Sequence, residues 1–131
     1  MCIRDRDYTI RARVSEGLHL AGAAKTAIAE SVAVRGEFLS ANNSSYALPS
    51  NISIQGDSVR QVSVGNQGLI IVTYRTLGGD TSPGDTLALA PLVRSSFIEW
   101  VCGNATANDG TATANNTQTS LAVKYLPANC R

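Results

Sequence analysis

Aromatic residues make up only 5% of this 131-residue chain, which also holds a single histidine, a single tryptophan and no apolar run of the ~20 residues a membrane crossing needs. Each scarcity excludes something. His19 stands alone without neighbouring Cys or His, so it cannot make a zinc site and is read as a surface or packing residue. Few aromatics leave little for a sugar-stacking platform, with Tyr46 and Tyr125 the candidates. Eleven Lys and Arg against ten Asp and Glu give a net charge of +1, and the cations are scattered, so a chain built to grip nucleic acid or anionic lipid is not indicated. Lys124 and Arg131 alone make a thin basic stripe. Gly78-Gly79 is too short to cradle phosphate, and no serine sits in a nucleophile elbow. Asp80 and Asp85 bracket a turn without the bidentate Glu of a calcium cage, so Asx hydrogen bonds are expected there instead. With no convergent acid, base or nucleophile, the chain is read as a non-enzyme with no catalytic residues, no metal and no cofactor.

What is plentiful is small and polar: Ala, Ser, Thr, Asn and Gly dominate, while apolar residues still recur in periodic blocks. That combination suits a neutral, exported, folded protein of one domain. Over residues 8–37, Ile10, Val14, Leu18, Ala21, Ala24, Ile28 and Val32 recur at steps of three and four, which predicts one amphipathic helix. Asp7 is a candidate N-cap. Yet Arg11 and Arg13 follow where the helix dipole disfavours cations, a placement better suited to the middle of a longer helix. A missing helical segment upstream is therefore expected. Gly17 and Gly22 permit bending or close packing.

Residues 38–57 have loop composition. Strand patterns follow at 59–64 and 69–74, joined by the turn Gly65-Asn66-Gln67-Gly68 as an antiparallel hairpin. A third is predicted at 86–93, with Pro91 suggesting an edge or bulge, and a fourth at 97–102. The expected class is α+β, a long N-terminal helix packed on a four-stranded antiparallel sheet.

Cys102 ends an apolar run and Cys130 lies near the C-terminus, separated by an Asn/Thr/Ala/Gly-rich stretch with few core-forming residues. A Cys102–Cys130 disulfide would tie that stretch down and imply an oxidising compartment; the alternative is three free buried thiols. Residues 1–6 are short, charged and unlike a targeting segment. Either the protein is cytosolic or the chain lacks its natural beginning, and the disulfide reading favours the second. Asn-X-Ser/Thr triplets at Asn42, Asn43, Asn51, Asn104 and Asn115 are weak signals in so polar a sequence.

Several blocks together resemble one family. DYTIRARVSEGL followed by HLAGAAKTAIAE is similar to the helix of type IV major pilins just after their hydrophobic spine. VGNQGLIIVTY, TLALAPLV, FIEWVCG and the ending KYLPANCR resemble the family's sheet and terminal clasp, in the same order, from Asp7 to Arg131. The resemblance implies one pilin domain: a non-family start at 1–6, helix 7–37, connecting loop 38–57, sheet 58–102 and a disulfide-bounded region 102–130 closed by Cys102 and Cys130. It implies a fibre subunit acting in adhesion, twitching motility or DNA uptake. Such a subunit would sit in the inner membrane through the missing helix before the pilus assembly machinery adds it to a surface homopolymer, where host surfaces are possible ligands. Ile10, Val14, Leu18 and Ala21 would then pack partly on this sheet and partly on neighbours. Arg11, Arg13, Glu16, Lys25 and Glu30 become candidate intersubunit contacts, against the alternative that they solvate a helix face. Cys2 has no expected partner. The competing readings are a type II secretion pseudopilin, a DNA-receptor minor pilin and a secreted carbohydrate-binding module.

Overall fold

The computed structural model describes residues 3–35, 53–65, 69–78, 81–93, 98–102, 119–121 and 123–126. The loop at 38–52, the turn residues 66–68, Tyr46, Asp80, Cys2, Cys130, Arg131 and the five Asn-X-Ser/Thr sites lie outside them.

Helix α1, Ile3–Arg35, is 33 residues long, about 50 Å at 1.5 Å per residue. It starts before the expected position 7, because nothing between Ile3 and Asp7 breaks a helix. Asp7 is therefore not the N-cap but an interior residue, and its Oδ1 is buried without a hydrogen-bond partner among the described residues.

Four strands follow: β1 Val59–Val64, β2 Ile70–Tyr74, β3 Thr86–Val93 and β4 Ile98–Cys102. They form an antiparallel meander in the order β1-β2-β3-β4. Alternation along each strand sends one set of side chains toward α1. Val62, Val64, Ile70, Val72, Tyr74, Leu87, Leu89 and Cys102 join Ile10, Val14, Ala21, Ala24 and Ile28 in one buried cluster, with Trp100 and Leu18 packed against it. Val59 is buried as well, three positions before Val62. An irregularity in register between Val59 and Gln61 absorbs that odd spacing.

Pro91 is not on an edge strand, since β3 lies between β2 and β4. The reason it is tolerated is local. Asp85 O accepts from Tyr74 N, so odd-numbered residues of β3 turn their backbone groups toward β2. Among the described residues the β2 ladder ends at the Ile70–Leu89 pair, and Pro91, which has no N–H to give it, lies beyond that pair. Gly84, at φ 85°, makes the tight return before β3 and donates its N–H to Tyr74 O at 3.1 Å. That left-handed backbone suits glycine alone.

The buried helical stripe runs through Gly17, whereas Leu18 is only partly buried. A Cβ on Gly17 would stand 2.7 Å from Tyr74 Cζ. The tyrosine hydroxyl is buried there and donates to Val14 O at 2.7 Å. Burial, and then the negative charge of Glu16, push its pKa above the ordinary 10.0. Folded and unfolded chains both carry a neutral hydroxyl below pH ~10, so its contribution is complete there. Above that pH the unfolded chain loses the proton and the folded one keeps it. Stability should therefore fall as pH rises from 10.0 toward the folded value, at up to ~1.4 kcal/mol per pH unit. Urea unfolding from about pH 9 to about pH 11, a window that spans titration of the unfolded tyrosine, should show this slope in the wild type. Tyr74→Phe should be flatter, the difference growing from near zero to nearly one proton (about 0.9) at the alkaline end of that window.

Candidate assembly surface

A helix packed on a sheet has three kinds of position: buried stripe, seams on either side, and outward face. Ile10, Val14 and Ala21 are at most 1% exposed, so they are wholly occupied by this chain's own core. No surface of theirs remains for a neighbouring subunit.

Arg11, Arg13 and Glu16 lie along the seams and bind within the chain. Arg11 Nε donates to Lys124 O at 2.8 Å, joining the helix to the short 3₁₀ turn Val123–Tyr125. On the opposite flank Arg13 donates to Leu77 O at 3.3 Å, just past β2. Glu16 accepts two backbone N–H groups through its carboxylate, from Asp57 at 2.9 Å and Ser58 at 3.0 Å. Gly56 makes room for it, because a Cβ there would collide with the Glu16 carboxylate. Three long charged side chains thus fasten α1 to three separate loops. Their spacing alone gave no sign of this, since the partners are backbone atoms far away in sequence.

Lys25 is half-buried, its ammonium 6.0 Å from the centre of the Trp100 ring, and burial holds its pKa below the usual lysine value. Glu30 is exposed. So is His19, as expected from its place on the helix. The outward face comprises Tyr8, Ala12, Ser15, His19, Ala23, Thr26 and Glu30, all exposed and recurring at steps of three and four. Tyr8 is 74% exposed at one end of this stripe, and Val34 is 86% exposed near the other. Its hydroxyls turn back on the helix, Ser15 donating to Arg11 O and Thr26 to Gly22 O. The face is consequently low in relief and nearly uncharged until Glu30.

The C-terminal stretch contributes more to the core than its composition suggested. Leu121, Tyr125 and Leu126 are buried in the main cluster. Tyr125, 0% exposed, is thereby excluded as an exposed sugar-stacking ring. Asp85 accepts from Ser82 N at 2.9 Å and from Ser120 Oγ at 3.1 Å, so its carboxylate reaches back across the 82–85 turn and links it to residue 120, rather than making the expected Asx bond to a residue further on. Among the described residues no three His, Cys, Asp or Glu side chains gather to hold a metal ion. Nor is any described helix long and apolar enough to cross a membrane.

Comparison with known proteins agrees with this architecture. A family model described as pilin (bacterial filament) matches residues 10–131. The chain is 32% identical to a fimbrial protein of Neisseria meningitidis serogroup A, over 96% of this chain and 78% of that protein. It is similarly 32% identical to the type IV major pilin protein PilE of Neisseria gonorrhoeae, with the same coverage of both. A fimbrial protein of Neisseria meningitidis serogroup B is 31% identical over the same shares.

Proposed function

We infer from its membership of the pilin family that this chain works by stacking with copies of itself. It is a structural subunit of a type IV pilus, a surface fibre whose general roles are adhesion and motility. The observation that carries the stacking mechanism is the two-sidedness of α1: one stripe buried under its own sheet, the opposite stripe exposed over most of ~50 Å. A contact that repeats without closing on itself makes a filament rather than a ring. The small residues of the outward face allow close approach of a neighbour.

This reading moves the subunit contacts from the buried and seam residues to Tyr8, Ala12, His19, Ala23 and Glu30. Lys25 and Leu18, partly buried, sit at the margin. In it the whole chain serves as one pilin domain, held before assembly at the inner membrane and added to the fibre by assembly machinery. The loops away from α1 would meet host surfaces. The burial of Tyr125 removes support from the alternative of a carbohydrate-binding module.

The test is fibre formation. Carried behind the apolar N-terminal helix of a related pilin, in a pilus-competent host lacking its own major subunit, the chain should give fibres that an antibody to it decorates along their length. Ala23→Arg should leave thermal stability nearly unchanged, within about 0.5 kcal/mol, as for surface changes generally. The same substitution should reduce fibres at least tenfold by immunogold counting, since a bulky charge would be buried between subunits. Fibres of normal number with Ala23→Arg would remove this face from assembly. Absence of fibres from the exported, folded wild type would overturn the self-stacking mechanism.

A further inference from the structure

Among the described residues, β4 pairs with the second half of β3 only, and the first half of that edge is met by residues 119–121. The β4 ladder begins at the Leu89–Cys102 pair and proceeds through Val93. By the alternation that turns Asp85 toward β2, Thr86 and Ala88 direct their backbone groups to the opposite side, where β4 does not reach. Residues 119–121 occupy that place. Ser120 N and Leu121 N both donate to Thr86 O, at 3.0 and 3.3 Å. In return, side-chain oxygens replace the carbonyls of a true strand: Thr86 N donates to Ser120 Oγ at 2.8 Å and Ala88 N to Thr119 Oγ1 at 3.1 Å. Ser120 Oγ in turn donates to Asp85 Oδ1. The buried Leu121 side chain anchors the segment from below.

We propose that residues 119–121 form an edge cap, a surrogate strand built largely from hydroxyls, which keeps the first half of β3 from pairing with a second copy of this chain. An uncovered strand edge displays donors and acceptors at strand spacing and is a template for intermolecular pairing. Hydroxyl groups satisfy those donors but cannot continue a ladder outward, so among the described residues the sheet goes no further on this side. The cap is held by its own bonds and by Leu121. Its retention therefore does not depend on any covalent tie made by the cysteines.

Hydrogen exchange read at single amides in the full-length chain tests this, with the Tyr74 amide, bonded to Asp85 O on the far side of β3, as internal reference. In Thr119→Val/Ser120→Ala, protection at Thr86 and Ala88 should fall roughly tenfold or more relative to Tyr74, the scale expected for losing two to three hydrogen bonds. The same protein should self-associate at lower concentration than the wild type in sedimentation experiments. Unchanged protection would overturn the cap, and lost protection without stronger self-association would overturn its guarding role. Should the double variant not fold, Thr119→Val alone still reports at Ala88. In wild type with all thiols reduced, the ratio of Thr86 and Ala88 protection to that of Tyr74 should persist. Its collapse would assign the segment's retention to a disulfide and overturn the proposal.

Discussion

Gly17→Ala should destabilise the fold by about 2–3 kcal/mol, although alanine is the better helix former by about 1 kcal/mol. The added methyl would lie 2.7 and 2.8 Å from the Tyr74 Cζ and Cε1 atoms and closer still to the hydroxyl. That ring has no room to withdraw: Tyr74 is 0% exposed, packed in the main cluster and bonded to Val14 O. Either the helix lifts from the sheet or the tyrosine leaves its site, and each opens gaps among side chains that are otherwise in contact. Chemical denaturation of Gly17→Ala, Tyr74→Leu and the double variant forms a cycle that checks this cause. The two substitutions should couple by at least about 1 kcal/mol, the double variant being more stable than the singles predict, because removing the ring removes the collision. Additive effects would mean that Gly17 matters through backbone freedom alone. Gly22 serves as the internal contrast: nothing lies within 4 Å of a Cβ placed there, so Gly22→Ala should stabilise slightly.

The same pair of residues explains what could be read from the sequence and what could not. Periodicity located the helix and all four strands, and β1 and β3 fall on the expected residues, because burial of one face is a local pattern visible along the chain. The apolar pattern nevertheless leads through Leu18, since glycine carries no apolar signal. Position 17 continues the 14-to-21 spacing as well, and the reason a glycine stands there is a tyrosine of β2. A proline in a strand pattern suggests an edge or a bulge, and the sequence does not reveal that β3 is flanked on both sides. The roles of Arg11, Arg13 and Glu16 were hidden for a related reason. Their charges suggest partners of opposite sign on another subunit, while their described partners are carbonyls and amides of this one. Leu121, Tyr125 and Leu126 are too sparse in the sequence to signal a core, yet they complete the one that the helix and sheet form.

Cys102→Ser should lower global stability by about 3.5 kcal/mol, the chain-entropy value for opening a loop as long as the one between Cys102 and Cys130. The proposed pairing is supported by reach. Cys102 ends β4 and is buried in the same cluster as Leu126, and four further residues carry the chain to Cys130, a span of at most ~14 Å. The cross-link would act on the unfolded ensemble, whereas the edge cap acts within the folded one, so the two contributions separate experimentally. Denaturant midpoints of Cys102→Ser and of Cys130→Ser should fall equally, and the double variant should fall no further, because either change alone opens the loop. Native-state exchange at residues 119–121 should drop only as far as the reference amide of Tyr74 drops. Thiol titration of the wild type in denaturant, without reductant, should find one reactive cysteine of the three. Finding three would remove the cross-link, and with it the argument from cysteine for an oxidising compartment. A Cys102→Ser protein less stable than Cys130→Ser would instead point to lost packing at the end of β4 as the cause.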